Sequence, residues 1–133
     1  MKKQKVLIPG IGHKVKSKFN PDARCEIIDQ IAQTFPSGST THYQFARSVE
    51  QITLTKKANL ILNVDGAIAA LLLDLLVSME FTHSEIQQYI DAGLFNAFFI
   101  AARTIGFLGH ALDQKRLNEG LYRTNWDDIR YQE

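Results

Sequence analysis

Two short strings carry residue types that acid–base chemistry needs. Pro9-Gly10-Ile11-Gly12-His13 is a glycine-freed loop ending in an imidazole, and Asn63-Val64-Asp65-Gly66 sets a lone carboxylate at the mouth of an apolar stretch. Glycines at positions 10 and 12 let backbone groups approach a ligand without obstruction by β-carbons. His13 can donate a hydrogen bond or shuttle a proton near neutral pH. Asp65 opens a helix whose amide dipoles favour the anion, while burial among apolar neighbours would make the carboxylate a better base. A histidine and an aspartate in these settings suit proton transfer at a weak carbon acid, such as the carbon beside a thioester. Each also has a plain alternative, a tight turn with a satisfied histidine and an ordinary N-cap aspartate.

Arg103 adds a third element. It lies between Phe98-Phe99-Ile100 and Ile105-Gly106-Phe107, and with Asn96 and His110 it draws a polar stripe at seven-residue spacing. An arginine in apolar surroundings calls for an anionic partner, either an internal acid or a substrate carboxylate that the guanidinium fork fits. Arg24 and Arg123 are further candidates, with a bland surface role as the alternative. Asp74 follows Asp65 by nine residues, which at about 100° per residue puts it on the opposite helix face. The two are not a carboxylate pair. Cys25 is alone and is expected to pack in or near the core. The histidines and the cysteine do not cluster as metal ligands would, so no metal is expected. There is no phosphate-binding Walker loop and no nucleophile elbow.

These residues need a scaffold. At 133 residues and a net charge of +1, the expectation is one compact domain without a dominant electrostatic partner. Charge is uneven: Lys2, Lys3, Lys5, Lys14, Lys16, Lys18 and Arg24 face a single acid, Asp22, near the start. This is a solvated arm or a contact for a polyanion, a nucleotide-bearing ligand as readily as nucleic acid. The apolar run from Ala67 to Met79 is interrupted by Asp74 and falls short of the roughly 20 residues a bilayer requires. No signal peptide is recognised, and a cytoplasmic, reducing setting without membrane contact is expected.

Periodicity is helical almost throughout. Val6-Leu7-Ile8 is a short β-like run that the glycines turn into a loop. Asn20-Pro21-Asp22 reads as the start of a first helix carrying Ile27, Ile28, Ile31, Ala32 and Phe35 at helical spacing. A second helix follows Ser39-Thr40-Thr41 with Phe45, Val49 and Ile52 on one face. Asn59 to Asn63 reads as extended or a loose turn. A third helix beginning near Asp65 is apolar nearly all round and should be central. Thr82 to Glu85 is a capping box, and the pattern runs on towards Lys115 with a break near Gly93. Trp126 and Tyr131 are expected to anchor the tail. The architecture expected is all-α, with about five helices.

With those residues in hand, the chain resembles the carboxy-terminal part of the citrate synthase superfamily, and most nearly its citryl-CoA lyase branch, the module found in ATP-citrate lyases. The strings that carry the resemblance are GIGHKVKS, NPDAR, KKANLILNVDG, ARTIGFLGHALDQKRL and GLYRTNWDDI. They occur in the family's order and cover nearly all of residues 5–131. The resemblance implies that residues 1–133 form a small domain with flanking helices, closing over a large domain that is absent here. It implies acyltransferase chemistry that joins or splits acetyl-CoA and oxaloacetate through citryl-CoA. His13 matches the histidine that hydrogen-bonds the oxaloacetate carbonyl or citryl hydroxyl. Asp65 matches the aspartate that moves a proton on or off the acetyl carbon. Arg24 and Arg103 match arginines that hold substrate carboxylates, and Arg123 matches one contributed across a dimer interface, so a homo-oligomer is implied. Leu7, Ile8, Pro9, Gly10 and Gly12 resemble the backbone that meets the adenine end of coenzyme A, with Lys14, Lys16 and Lys18 near its phosphates.

Two departures qualify the likeness. Ordinary citrate synthases place the arginine directly after the proline, whereas Asp22 and Ala23 intervene here, as in the ATP-citrate lyase branch. The family also uses a second histidine, from the large domain, to stabilise the thioester enolate. The expectation is therefore part of a site, inactive in isolation. The rival reading is a non-catalytic helical module binding coenzyme A or a partner protein. Nucleic-acid binding through the basic arm is a third, which the near-neutral net charge disfavours.

Overall fold

A computed structural model describes residues 7–35 and 39–120. It contains five helices, α1 (Ala23–Gln33), α2 (Thr41–Leu54), α3 (Val64–Ser78), α4 (His83–Asp91) and α5 (Leu94–Leu117). The all-α expectation holds. The chain divides into two compact units, Met1–Phe95 and Asn96–Glu133, where length alone suggested one.

In the first unit α3 is central, as its apolar sequence demands, and both α1 and α2 pack on it. Val64, Ala67, Leu71 and Leu76 are its buried apolar residues, and Cys25 and Ile28 of α1 join them in the core. The start of α1 falls later than expected. Asp22 is the N-cap, accepting from the Arg24 amide at 3.1 Å, so Asn20 and Pro21 precede the helix. The capping box is present at α4, where Thr82 and Glu85 bond reciprocally. Gly93, with φ of +79°, breaks the chain between α4 and α5 where the sequence pattern faltered.

The second helix differs more. Phe45 and Ile52 of α2, expected to face the core, are exposed, while Tyr43, Glu50 and Thr53 are buried. The reason lies across the interface with α3. Thr40 makes no side-chain cap, and the buried carboxylate of Asp74 does that work from another helix. It accepts from the His42 and Tyr43 amides, both at 2.9 Å, and meets His42 Nδ1 at 2.7 Å. Free amides at a helix start carry partial positive charge, which an anion satisfies. These bonds fix the start of α2, and further along Glu50 accepts from the Leu62 amide while Thr53 donates to Leu60 C=O, which holds the polar face inward.

In the second unit, α5 has no buried residues. By length and composition it is the one described helix able to cross a bilayer. Core helices of soluble proteins meet the same measure. The sequence reading overlooked it because Asn96, Arg103 and His110 cut its apolar residues into short runs. Trp126 and Tyr131 lie outside the described residues.

Candidate active site

The two strings are brought together by backbone rather than by side chains. Gly12 N–H donates to Ile61 C=O at 2.7 Å, Asn63 N–H to Gly10 C=O at 2.9 Å, and His13 N–H to Asn59 C=O at 3.0 Å. Ile11 thereby pairs antiparallel with Leu62 in an isolated bridge, so 59–63 combines both readings: a turn at Asn59, with Leu60 N–H bonded to Lys57 C=O at 3.1 Å, and an extended run beyond it. Side-chain amides add to this seam. Asn63 Nδ2 reaches Gly12 C=O at 3.1 Å and Asn59 Nδ2 reaches His13 C=O at 3.0 Å. The loop then rests on the first turn of α3 through two glycines. A β-carbon on Gly66 would lie 2.7 Å from both the Cα and the O of Gly10, and one on Gly10 only 2.8 Å from the Gly66 Cα. Gly10 and Gly12 also adopt φ of +78° and +102°, a region other residues avoid.

His13 has one nitrogen committed. Its Nδ1 accepts from the Val15 amide at 3.0 Å and the Lys16 amide at 2.8 Å. A nitrogen that accepts two N–H groups carries no proton, so the assignment that satisfies them puts the hydrogen on Nε2, which becomes a donor. Asp65 is the second residue of α3, behind the N-cap Asn63, whose Oδ1 accepts from the Gly66 amide at 3.0 Å. The plain N-cap role thus belongs to Asn63. Among the described residues the expected apolar surround of Asp65 is absent: the residue is exposed, and its carboxylate makes no hydrogen bond or ion pair with them. Asp74 is buried and committed to α2, so the two aspartates do different work.

Arg24 is held close to home. Its Nε and Nη2 bind the two oxygens of Asp22 at 3.0 and 2.7 Å, a bidentate pair. Burial pushes the Asp22 carboxyl upward, but the Arg24 hydrogen bonds and charge, with a small contribution from His13, hold it below its ordinary 3.8. In the second unit, the Arg103 guanidinium stands over the Phe99 ring at 5.4 Å, without an acidic partner among the described residues. The internal-acid alternative is thereby removed for those residues. Arg123 lies outside them. Leu7, Ile8, Pro9 and Lys14 are exposed, and Lys16 is half-buried with its Nζ 3.2 Å from Asn20 Oδ1. No group of three potential metal ligands occurs among the described residues.

Sequence reasoning missed the support behind the seam. Asp29 of α1 binds the guanidinium of Arg47 and accepts from Tyr43 OH at 2.5 Å. Arg47 Nη1 donates to Glu50 Oε2 at 2.7 Å, and Glu50 Oε1 accepts from the Leu62 amide at 2.7 Å. Thr53, one turn on, donates to Leu60 C=O at 2.7 Å. Burial disfavours the Arg47 cation, yet its bonds to Asp29 and Glu50 prevail and fix it as charged. Burial, then the bond to Asp29, raise the Tyr43 phenol above its ordinary value. The signal available was the spacing of Arg47, Glu50 and Thr53 on one face of α2, opposite the apolar face. A cleft of about 540 Å³ lies between α1 and α2, lined by Asp29, Phe35, Tyr43 and Arg47, but it includes neither His13 nor Asp65.

A glycine-docked loop ending in an imidazole donor and a carboxylate-bearing helix start thus share one all-α unit. The chain belongs to the citrate synthase family: residues 1–125 match the model of the citrate synthase C-terminal domain. Among curated relatives it is similar to the ATP-citrate synthase of Homo sapiens, 52% identical over 98% of this chain and 12% of that protein. It is also similar to ATP-citrate synthase beta chain protein 2 of Arabidopsis thaliana, 47% identical over 98% of this chain and 22% of that one. The ATP citrate lyase of Methanothrix soehngenii, solved with citrate and coenzyme A, superposes with a TM-score of 0.74 at 46% identity, over 96% of this chain and 21% of that one. A Methanosaeta concilii ATP citrate lyase variant with (3S)-citryl-CoA gives the same TM-score at 45% identity and the same coverage. The chain thus spans only a small part of the relatives it matches.

Proposed function

We propose that this chain is the substrate-gripping and proton-moving part of an enzyme that splits citryl-CoA into acetyl-CoA and oxaloacetate, or joins them, and that it needs a large domain to act. The observation that carries this reading is the Gly10–Gly66 junction, which docks the loop ending in His13 onto the helix start that carries Asp65. In cleavage, the bond between the carbinol carbon and the α-carbon of the thioester breaks. The hydroxyl releases its proton to solvent and becomes a carbonyl, and the electron pair leaves on the acetyl unit, which takes a proton at carbon from the Asp65 carboxyl, itself reprotonated from solvent. His13 Nε2–H donates to the oxygen on which charge develops. Asp65 exchanges the proton at the acetyl carbon, a role that its exposed and uncommitted carboxylate supports.

Arg24, Arg103 and Arg123 hold substrate carboxylates through their guanidinium forks, Arg123 across a homo-oligomer interface. Arg24 does so while sharing its charge with Asp22. The backbone from Leu7 to Gly12 meets the adenine end of coenzyme A, with Lys14 and Lys16 at its phosphates. The positive φ angles and exposure of that loop fit a ligand lying against main chain. Coenzyme A and citryl-CoA in the two solved relatives support the same ligands here. A reducing cytoplasm suits the single free, buried Cys25.

The purified chain should not turn over citryl-CoA, and adding the large domain should restore turnover. In the assembled enzyme Asp65→Ala should then abolish it without loss of helix content. Turnover by the chain alone, or unchanged rates from that variant, contradicts the proposal. Thermal stabilisation by coenzyme A but never by citrate or oxaloacetate favours the binding-module alternative.

A further inference from the structure

The extended segment that carries the loop has two edges. On one, Ile61 C=O and Asn63 N–H bond to Gly12 and Gly10. Leu62, between them, directs its backbone groups to the other edge, as alternation in an extended chain requires. There its N–H donates to Glu50 Oε1 at 2.7 Å, and its C=O accepts from the Cys25 thiol at 3.6 Å. Leu62 is 3% exposed and Glu50 6%, so neither group has ready access to solvent. A buried amide left without an acceptor is destabilising, because it has given up its bond to water. The second Glu50 oxygen is taken by Arg47, which Asp29 holds in turn. Glu50 is therefore aimed from behind and touches the segment at the one residue whose neighbours bear the loop.

We propose that Glu50 is a positioning residue for His13. Its carboxylate sets the stance of residues 61–63, and through the Gly10 and Gly12 bonds the stance of the loop that ends in His13. This inference rests on the functional reading above. The competing explanation is that Glu50 merely neutralises Arg47. The two roles predict opposite orders for two conservative variants. Glu50→Gln keeps the reach and a carbonyl oxygen for the Leu62 amide but loses the charge. Glu50→Asp keeps the charge and withdraws the acceptor by one methylene.

The test is steady-state cleavage of citryl-CoA by the enzyme in which this chain is joined to its large domain. Displacement of a donor by about 1 Å can cost on the order of 100-fold. Glu50→Asp should lower kcat about 10- to 100-fold with KM changed less than about twofold, and Glu50→Gln should stay within about threefold of wild type. In the 133-residue chain, the imidazole ¹⁵N resonances of His13 should show the Nε2–H tautomer in wild type and Glu50→Gln. In Glu50→Asp they should average towards a mixture. A larger loss in Glu50→Gln than in Glu50→Asp, or wild-type rates and tautomer in both, overturns the proposal. If neither variant folds, hydrogen exchange at the Leu62 amide of wild type decides. Protection equal to that of the α3 core supports the role, and exchange as fast as in exposed turns overturns it. His13→Ala is the separate control: wild-type turnover from it removes the functional reading, whereas the tautomer experiment still judges Glu50.

Discussion

Gly66→Ala puts one methyl group at the junction between the loop and α3. In an unobstructed helix this change stabilises by about 0.5–1 kcal/mol, because alanine loses less backbone entropy than glycine. Here the new carbon meets the Cα and O of Gly10 at 2.7 Å and Leu62 Cδ1 at 2.9 Å. The leucine methyl can swing aside, but the Gly10 neighbours are main chain, in a loop held by the bonds of Gly10 and Gly12. Restoring an ordinary contact requires the loop to withdraw by roughly 0.7 Å, and forced overpacking of this kind costs about 1–3 kcal/mol. The net expectation is a loss of about 1–2 kcal/mol, or several degrees in Tm for a domain of this size. Activity should suffer more than stability, since the withdrawn segment ends in His13. A fall in kcat of about 10- to 100-fold is expected in the assembled enzyme. Urea unfolding of the chain, with citryl-CoA cleavage by the whole enzyme, measures both. Gly109→Ala is the internal standard, because nothing lies within 4 Å of the carbon it adds; it should stabilise the chain or leave it unchanged. If Gly66→Ala behaved like Gly109→Ala in stability and retained wild-type activity, the glycine junction would not be what holds the two strings together.

The two aspartates of α3 should separate in an unfolding experiment. Asp74→Asn weakens the cap on α2 and should cost about 1–3 kcal/mol in urea, whereas exposed Asp65→Asn should shift stability by less than about 0.5 kcal/mol. Asp22 should contribute to the acid limb of stability. Its folded carboxyl lies below its ordinary 3.8, so its contribution is complete above that pH and fades as pH falls through the folded value. Asp22→Asn should flatten the wild-type loss below pH 4, which fluorescence-monitored unfolding across pH would read. Burial pushes the Cys25 thiol up to about 11, so alkylating reagents at pH 8 should modify it only after denaturant unfolds the chain; rapid labelling of the native protein would contradict its placement.

Much of the scaffold was legible locally. The capping box at Thr82 and Glu85, the break at Gly93 and the apolar girth of α3 each depend on neighbours in sequence, and each appears where the pattern put it. The loop was recognisable from its glycines, although not that Gly10 would meet Gly66, a meeting of segments far apart in the chain. The face of α2 was misread for the same reason. Phe45, Val49 and Ile52 make a sound amphipathic stripe, but Asp74 holds the helix start from α3, and Leu60 and Leu62 bind Thr53 and Glu50 on the other side. Asp65 was legible as a residue type and misjudged in environment, because it is exposed among the described residues. The relay of Asp29, Arg47 and Glu50 joins three segments, and no local pattern announces such a link.

Residues 60–63 run extended and meet the loop at a single isolated bridge. A lone stretch of strand in a helical protein is usually an invitation to other copies, since its unpaired amides and carbonyls template cross-chain pairing. Here the loop occupies one side, while Glu50, Thr53 and Cys25 supply side-chain partners to the other. Two turns of helix thus act as a surrogate neighbouring strand. The segment gains the straightness of a sheet without its stickiness, and self-association of this chain should have to proceed through its exposed apolar helix faces instead.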